Sequence, residues 1–429
     1  MDRTQEDVPS ASAAKRRVLV CAPFPPRLDA RHGGKAPAQL LLRLAIRNEV
    51  GLLCLRAPDD EGVDPAIAAR CAVVREVSVR RPSRATARRA AWTLGLLRGL
   101  PPWATDCRSS EYATQLAQLL DEWRPEVVEI HLQAMAQYVD AAASRGIPSV
   151  LVDYDPPSAW AKELERRAGG LRRLARRAEV ATWRRYERRT RPRFDAIVVF
   201  AERDVAAVAP SAGAASIVWI PLAVEVPPLP LDPVGVDPPA VLFVGGFKHP
   251  PNVDAALWLG TTLFPRVRVR VPGARLEIVG HEPTDDVRAL AGADVSVRAS
   301  VPDVTPYLDR AAVVVAPIRL GGSMRMKVLE ALAAGKALVA TPRAAESVEA
   351  VPGEHFLLAR DDDEFVDMLV ELLDDRERRR TLASSARAWA EEQLGWERGA
   401  EAFEQVYDAV RRRERPPPVA GRRPRSSEA

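Results

Sequence analysis

The stretch from Ala311 to Thr341, AAVVVAPIRLGGSMRMKVLEALAAGKALVAT, leaves the chain few folds to choose from. The β-branched run Val313 to Val315, closed by Pro317, reads as a buried strand, and Leu338 to Ala340 as the next one. Between them a glycine loop, Leu320-Gly321-Gly322-Ser323, leads into a helix over Met324 to Ala334. That helix is rich in strong helix formers and is stopped by Gly335. Strand, helix and strand within about thirty residues make a βαβ unit. Such a unit implies a parallel sheet, and parallel sheets take ligands beyond the carboxyl ends of their strands.

The turn and the first half of that helix carry candidate chemistry. Gly321 and Gly322 let backbone approach a ligand closely, and a helix start offers N–H groups and partial positive charge to an anion. Arg325 and Lys327 add full charges beside the same spot, and Lys327 and Glu330, three apart, share a helix face. A phosphate next to a hydroxylated group suits this set. A turn followed by a solvated Lys–Glu pair gives the same spacing.

A chain of 429 residues with 47% hydrophobic content suits two or three domains with ample cores. No apolar run approaches the roughly eighteen residues of a membrane-spanning helix. The N-terminus has no apolar signal core, so a cytoplasmic location is expected. Cys21, Cys54, Cys71 and Cys107 are scattered and read as reduced thiols, and five unclustered histidines give no reason to expect a protein-held metal. Net charge is only +4, and just six of the 62 basic residues are lysine, a bias that fits a GC-rich bacterial genome.

Strands and helices alternate twice along the chain. Arg17 to Ala22 is a first strand, followed by a loop with Gly33 and Gly34 and a helix from about Pro37 to Arg47. Val50 to Leu55 and Ala72 to Val79 are further strands. Residues 111–123 and 134–144 read as helices, Val127 to His131 and Ser149 to Val152 as strands, with Asp153-Tyr154-Asp155 after the last. Ala196 to Phe200 is another strand. Two segments are strongly basic. Residues 80–103 mix arginines with Trp92, Leu94, Leu96, Leu97, Leu100 and Trp103, as an interfacial membrane helix does. A helix packed on its own domain with its arginines in water is the favoured reading of the two. Residues 160–193 carry arginine pairs along one long helical pattern, suited to anionic lipid, an anionic acceptor, or pairing with Glu163, Glu165, Glu179 and Glu187. Nucleic acid is disfavoured, because no stacking aromatics accompany the charge.

The proline-rich segment Pro221 to Pro239 reads as a linker. A second half opens with a strand from Val241 into the turn Gly245-Gly246-Phe247, then a helix from about Val253. Arg275 to Val279 and Val295 to Arg298 are strands, and residues 362 to 410 are helical.

The string GGSMRMKVLEALAAGKALVAT resembles the donor-site signature of the retaining, metal-independent glycosyltransferases of family 4, the group 1 type. These have the α/β GT-B fold, two Rossmann-like domains facing each other across a cleft. Leu329-Glu330-Ala331 matches the family's Leu-Glu-Ala helix core, which implies that Glu330 holds the donor ribose. The family's other glutamate, eight positions earlier, falls on Gly322. A subgroup has a Gly/Ser-rich loop and an Arg-x-Lys pair here, matched by Gly321, Gly322, Ser323, Arg325 and Lys327.

The resemblance continues at Gly245, Gly246 and Phe247, the start of the donor domain, where Gly246 and Pro251 replace the basic pair that holds the diphosphate. It implies relocation of that role to Arg325 and Lys327, with Lys248 a third candidate. The segment from Val301 matches the one whose backbone contacts the nucleotide base. Gly33 and Gly34 lie in the acceptor-side loop. Tyr154 stands where many members have histidine, and Asp155 matches the acidic position beside it; His131 is the nearest histidine.

The domains implied are an N-terminal acceptor-side domain over 17–220, the linker 221–239, a nucleotide-sugar domain over 240–395 and a returning helix over 396–415. Disordered tails are expected at 1–16 and 416–429. The activity implied is that of a hexosyltransferase using a nucleotide diphosphate sugar, without cofactor or metal, in glycan, polysaccharide or glycolipid synthesis, with a lipid-linked acceptor at the inner membrane face as one candidate. A non-catalytic sugar-nucleotide-binding protein and a sugar-nucleotide epimerase share the fold and remain alternatives.

Overall fold

Thirteen strands form two sheets among the described residues, and every pairing within them is parallel. This computed structural model describes residues 15–28, 35–58, 60–79, 85–320, 326–414 and 416. The first sheet comprises β1 (Arg16–Ala22), β2 (Asn48–Arg56), β3 (Val73–Ser78), β4 (Val127–His131), β5 (Ser149–Asp153), β6 (Ala196–Val199) and β7 (Ser216–Trp219). The second comprises β8 (Ala240–Val244), β9 (Arg275–Gly280), β10 (Val295–Ala299), β11 (Val313–Ala316), β12 (Leu338–Ala340) and β13 (Leu357–Leu358).

The strand orders are β3-β2-β1-β4-β5-β6-β7 and β10-β9-β8-β11-β12-β13. Helices cover both faces, so the central strands are buried on both sides. Every residue of β4, β5 and β11 is buried, as near-continuous Val/Ile/Leu runs require. Each order turns back once, between β1 and β4 and between β8 and β11. Chains leave such neighbours in opposite directions and open a crevice at their carboxyl ends, where α/β proteins bind ligands.

The βαβ unit read from the sequence is β11, the helix Met326–Ala333 and β12. Its helix ends as the glycine signal implies. Gly335 has φ of 69°, and the N–H groups of Gly335 and Lys336 donate to the carbonyls of Leu332 and Ala331.

Two local expectations differ from the structure. The long basic pattern of 160–193 is two helices, Pro157–Arg167 and Gly170–Thr190. The cause is the Gly169-Gly170 pair, where Gly170 takes a φ of 55° that ordinary residues avoid. The helix expected over 134–144 starts as a 3₁₀ turn, Gln133–Tyr138, before Val139–Ala143.

Residues 221–239 contain no helix or strand, yet they are not a free tether. Leu222 and Val224 pack with Leu329, Ala333, Ala390 and Leu394. The buried Lys336 donates to the Asp232 carbonyl and, at 3.1 Å, to that of Asp309. The last helix, Trp396–Arg412, returns to the first sheet, where Trp396, Phe403 and Tyr407 share a core with Val18, Val50 and Leu41. Among the described residues no helix is long and apolar enough to cross a membrane.

Candidate functional site

The second domain's crevice is built on a close glycine approach. β8 runs into Gly245-Gly246-Phe247, and the Gly245 N–H donates to Val279 of β9 at 3.0 Å. A Cβ on Gly280 would fall 1.7 Å from the Gly245 carbonyl oxygen, so only glycine fits there. Phe247 turns its ring into the core beside Phe243, which leaves backbone as what the turn offers a ligand. Val301, after β10, is half-buried against the same core.

Asn252, in the first turn of the helix Pro250–Trp258, closes this loop. Its Nδ2 donates to the Gly246 carbonyl at 2.8 Å, and its Oδ1 accepts from Lys327 Nζ at 2.9 Å. The half-buried Lys327 ammonium is thereby held between the turn after β8 and the helix after β11, at the point where the strand order reverses. An anion in that crevice meets a fixed cation and a helix start together. Glu330 lies one turn further along the helix and is exposed. Gly321, Gly322, Ser323 and Arg325 lie outside the described residues, as do Gly33 and Gly34 of the first domain. Lys248, the third basic candidate, is exposed and pairs with Glu282 at 2.9 Å.

Across the cleft, Tyr154 follows β5 and is buried. Its hydroxyl lies 3.1 Å from His131 Nδ1, and His131 Nε2 bonds the Glu129 carboxylate, which also accepts from the Tyr407 hydroxyl. Glu129 is fully buried, and a buried carboxylate persists when donors satisfy it. With His131 Nε2–H donating to Glu129, Nδ1 is left to accept from Tyr154. Lone pairs on the Tyr154 oxygen remain for another donor. Burial drives the Tyr154 phenol well above its ordinary pKa, so it stays protonated. Two apolar walls meet at this residue. One is a pocket of about 190 Å³ formed by Val20, Pro23, Phe24, Leu41, Trp103 and Leu132 at the ends of β1 and β4. The other faces Phe200, Leu329 and Trp389 in the cleft.

Asp155 is half-buried on the same loop. A buried cluster fixes that loop from both sides. The Arg191 guanidinium, fully buried, donates to Asp153 at 2.7 Å, Gln133 at 2.9 Å and Ser211 at 2.8 Å. Glu187, 3.4 Å from Arg191, accepts from the Ser158 N–H at 2.9 Å. Burial raises the pKa of Asp153 and of Glu187, and in both cases Arg191 works against it.

The domains touch through Arg343–Glu163 at 3.1 Å, Arg203–Glu346 at 2.7 Å and the Trp160 and His249 rings, 5.9 Å apart. These ion pairs are part-exposed, and such pairs contribute about 0–1 kcal/mol each.

Residues 238–375, which span the β8 turn, Asn252, Lys327 and Glu330, match the family model described as Glycosyl transferases group 1. The second half is thus similar to a group 1 glycosyltransferase domain. Solved structures of similar shape extend the comparison over the whole chain. A sucrose-phosphate synthase from Thermosynechococcus elongatus superposes with a TM-score of 0.66 at 15% identity, covering 92% of this chain and 98% of that one. A trehalose-6-phosphate structure from E. coli, bound with UDP-2-fluoro glucose, has a TM-score of 0.60 at 12% identity, covering 91% and 98%. Anabaena HepE in complex with UDP and glucose has the same score and identity, covering 91% and 99%. The fold is GT-B. No curated protein matches this sequence. Within residues 238–375, Lys327 and the Gly245–Gly246 turn lie on either side of Asn252. Asn252, which joins them, was missed.

Proposed function

We propose that the chain transfers a sugar from a nucleotide diphosphate donor to an acceptor hydroxyl with retention of configuration. The observation that carries this reading is Lys327, held by Asn252 over the Gly246 turn inside the segment similar to a group 1 glycosyltransferase domain. A leaving diphosphate needs its developing charge neutralised, and a preorganised cation does so without reorganisation in the transition state. Arg325, two residues before it, supplies a second charge in this reading. The two cations take the role a metal has elsewhere, so the reaction requires none. The Gly321–Ser323 loop binds the phosphates and Glu330 the ribose, with backbone after Gly245 and around Val301 shaping the base site.

The acceptor enters on the Tyr154 side, with Gly33 and Gly34 assigned to its binding. As the sugar–phosphate bond breaks on the same face, the acceptor hydroxyl forms the new bond and passes its proton to the leaving phosphate. Asp155 lies beside the reacting sugar. The similar structures bound with UDP and glucose, or with UDP-2-fluoro glucose, support a uridine diphosphate sugar as the first donor to test.

Thermal-shift titration with UDP, GDP and ADP sugars is the direct experiment. A ligand at a hundred times its dissociation constant adds about 2.7 kcal/mol of stability. One of these sugars should raise the melting temperature, and product anomers read by NMR should keep the donor's configuration. If none of them stabilises the protein, the reading fails.

A further inference from the structure

The helix Ala85–Leu97 is packed the wrong way round for an ordinary surface helix. Its half-buried side carries Arg88 and Trp92, which both reach Asp106, at 2.6 and 2.9 Å, with the guanidinium 4.9 Å from the indole, and the buried Gly95. Its solvent side carries Ala87, Ala90, Leu94 and Leu97, spaced by three, four and three residues, all exposed. That spacing is an apolar stripe along one face, which a surface helix normally turns inward. Leu97 is 81% and Leu94 48% exposed, and Leu96 and Trp103 are exposed beside them. Among the described residues, four of the ten exposed large hydrophobics thus fall within residues 94–103.

Positive charge adjoins this patch. Arg98, which follows the stripe, lines an open pocket with Arg108 and Arg189 at the start of the helix Ser110–Glu122. The Arg189 guanidinium lies 3.9 Å from where a Cβ on Gly99 would sit. Among the described residues these three arginines have no carboxylate partner, nor have Arg184, Arg185 and Arg188 on the neighbouring helix. The first half of that helix differs: Arg173 and Arg177 pair with Glu165, and Arg176 with Glu179. Charge is therefore left unneutralised on the side that also exposes leucine.

We propose that this surface binds an anionic lipid membrane. Exposed leucines and a tryptophan enter the interface while arginines meet anionic headgroups, the combination an interfacial helix requires. Nucleic acid asks for charge with stacking aromatics and gains nothing from exposed leucines. Trp103 is both on this surface and in the wall of the 190 Å³ apolar pocket that ends at His131 and Tyr154. Resting on the transfer reading, the acceptor is then an amphiphile: its chain passes Trp103 into the pocket, and its hydroxyl stops at Tyr154.

Flotation of the full-length protein with vesicles tests the surface independently of any activity. Phosphatidylglycerol–phosphatidylcholine vesicles should carry the protein upward at low salt, and pure phosphatidylcholine vesicles should do so weakly. Binding should fall in about 1 M salt, where charges are screened beyond roughly 3 Å. Reversing Arg98, Arg108 and Arg189 together to glutamate should lower partitioning on the order of 10²-fold or more, since each charge near such a surface contributes several-fold. Leu94→Gln with Leu97→Gln, both on the solvent side and so neutral to folding, should lower binding even at unchanged charge. No flotation with the anionic vesicles at low salt overturns the proposal. So does equal flotation of both variants, or retention by nucleic acid in place of vesicles. Donor-induced thermal shifts in both variants should match the parent. A parent protein that shows a donor-induced shift but no flotation marks failure of this surface alone, and one that floats without any donor-induced shift marks failure of the transferase reading alone.

Discussion

Replacing Lys327 with methionine keeps the unbranched apolar stem and removes the ammonium with its charge and hydrogen-bond donors. The structure sets the size of the effect. Lys327 Nζ lies 2.9 Å from Asn252 Oδ1, and Asn252 lies 2.8 Å from the Gly246 carbonyl, so a phosphate in the crevice sits about one contact from the ammonium. Two unit charges 4 Å apart interact by about 4 kcal/mol at an effective dielectric constant of 20. Lys327 is half-buried, and solvent on its open side lowers that to about 2 kcal/mol, or roughly thirtyfold in affinity.

Leaving-group charge grows in the transition state, so turnover should fall further, by roughly 10²-fold or more. Loss of the hydrogen bond to Asn252 costs folding about 1 kcal/mol. The assay is titration with the nucleotide diphosphate that stabilises the parent, followed by turnover with its sugar. Asn252→Ala is the matched control, because it frees the ammonium but keeps the charge, and it should cost less than Lys327→Met on both measures. If Lys327→Met binds the nucleotide diphosphate as tightly as the parent and turns over normally, the phosphate charge is neutralised elsewhere and the site is misplaced.

Glu330→Ala should weaken nucleotide binding about tenfold with little change in melting temperature, since an exposed side chain contributes little to folding; unchanged affinity removes the ribose assignment. Arg191→Met leaves Asp153 and Glu187 buried without their cation, and urea unfolding should show a loss of about 3–5 kcal/mol. Stability should rise and then fall with alkaline pH. Burial pushes Lys336 down to about 8, so between pH 8 and 10.5 the unfolded chain binds the extra proton and the folded state gains. Burial pushes Cys21 up to about 12, Cys71 to about 11 and Cys54 higher still, so above about pH 9 the unfolded thiols ionise first and stability is lost. Three thiols outweigh one amine, and Lys336→Met should abolish the rise between pH 8 and 9, which pH-resolved denaturant melts would read.

Local pattern made the two parallel sheets and the β11–helix–β12 unit legible, because apolar runs, helix formers and glycine stops act over about ten residues. The contacts that make the site are not local. Lys327 and Asn252 are 75 residues apart, and Glu129 and Tyr407 are 278 apart. Their partnership exists only after two sheets have formed and the last helix has crossed back. One signal was still available: Glu129 and His131 stand two apart in the otherwise apolar strand VVEIH, hence on one face, and a carboxylate there demands a donor.

The helix Ala85–Leu97 shows the opposite limit. Composition left two readings open, a helix packed on its own domain and a helix facing a membrane, because the stripe of Ala87, Ala90, Leu94 and Leu97 serves either. Asp106 anchors Arg88 and Trp92, each by a hydrogen bond to its carboxylate. Turning the leucines in would bury apolar area at about 25 cal/mol per Å² but would break those two bonds to a carboxylate that is itself buried, a loss of comparable size. A nearly even exchange of this kind does not by itself select an outward apolar face. Apolar area left in water at that margin has use where a second apolar phase is present, and the unpaired arginines beside it state the charge that phase must carry.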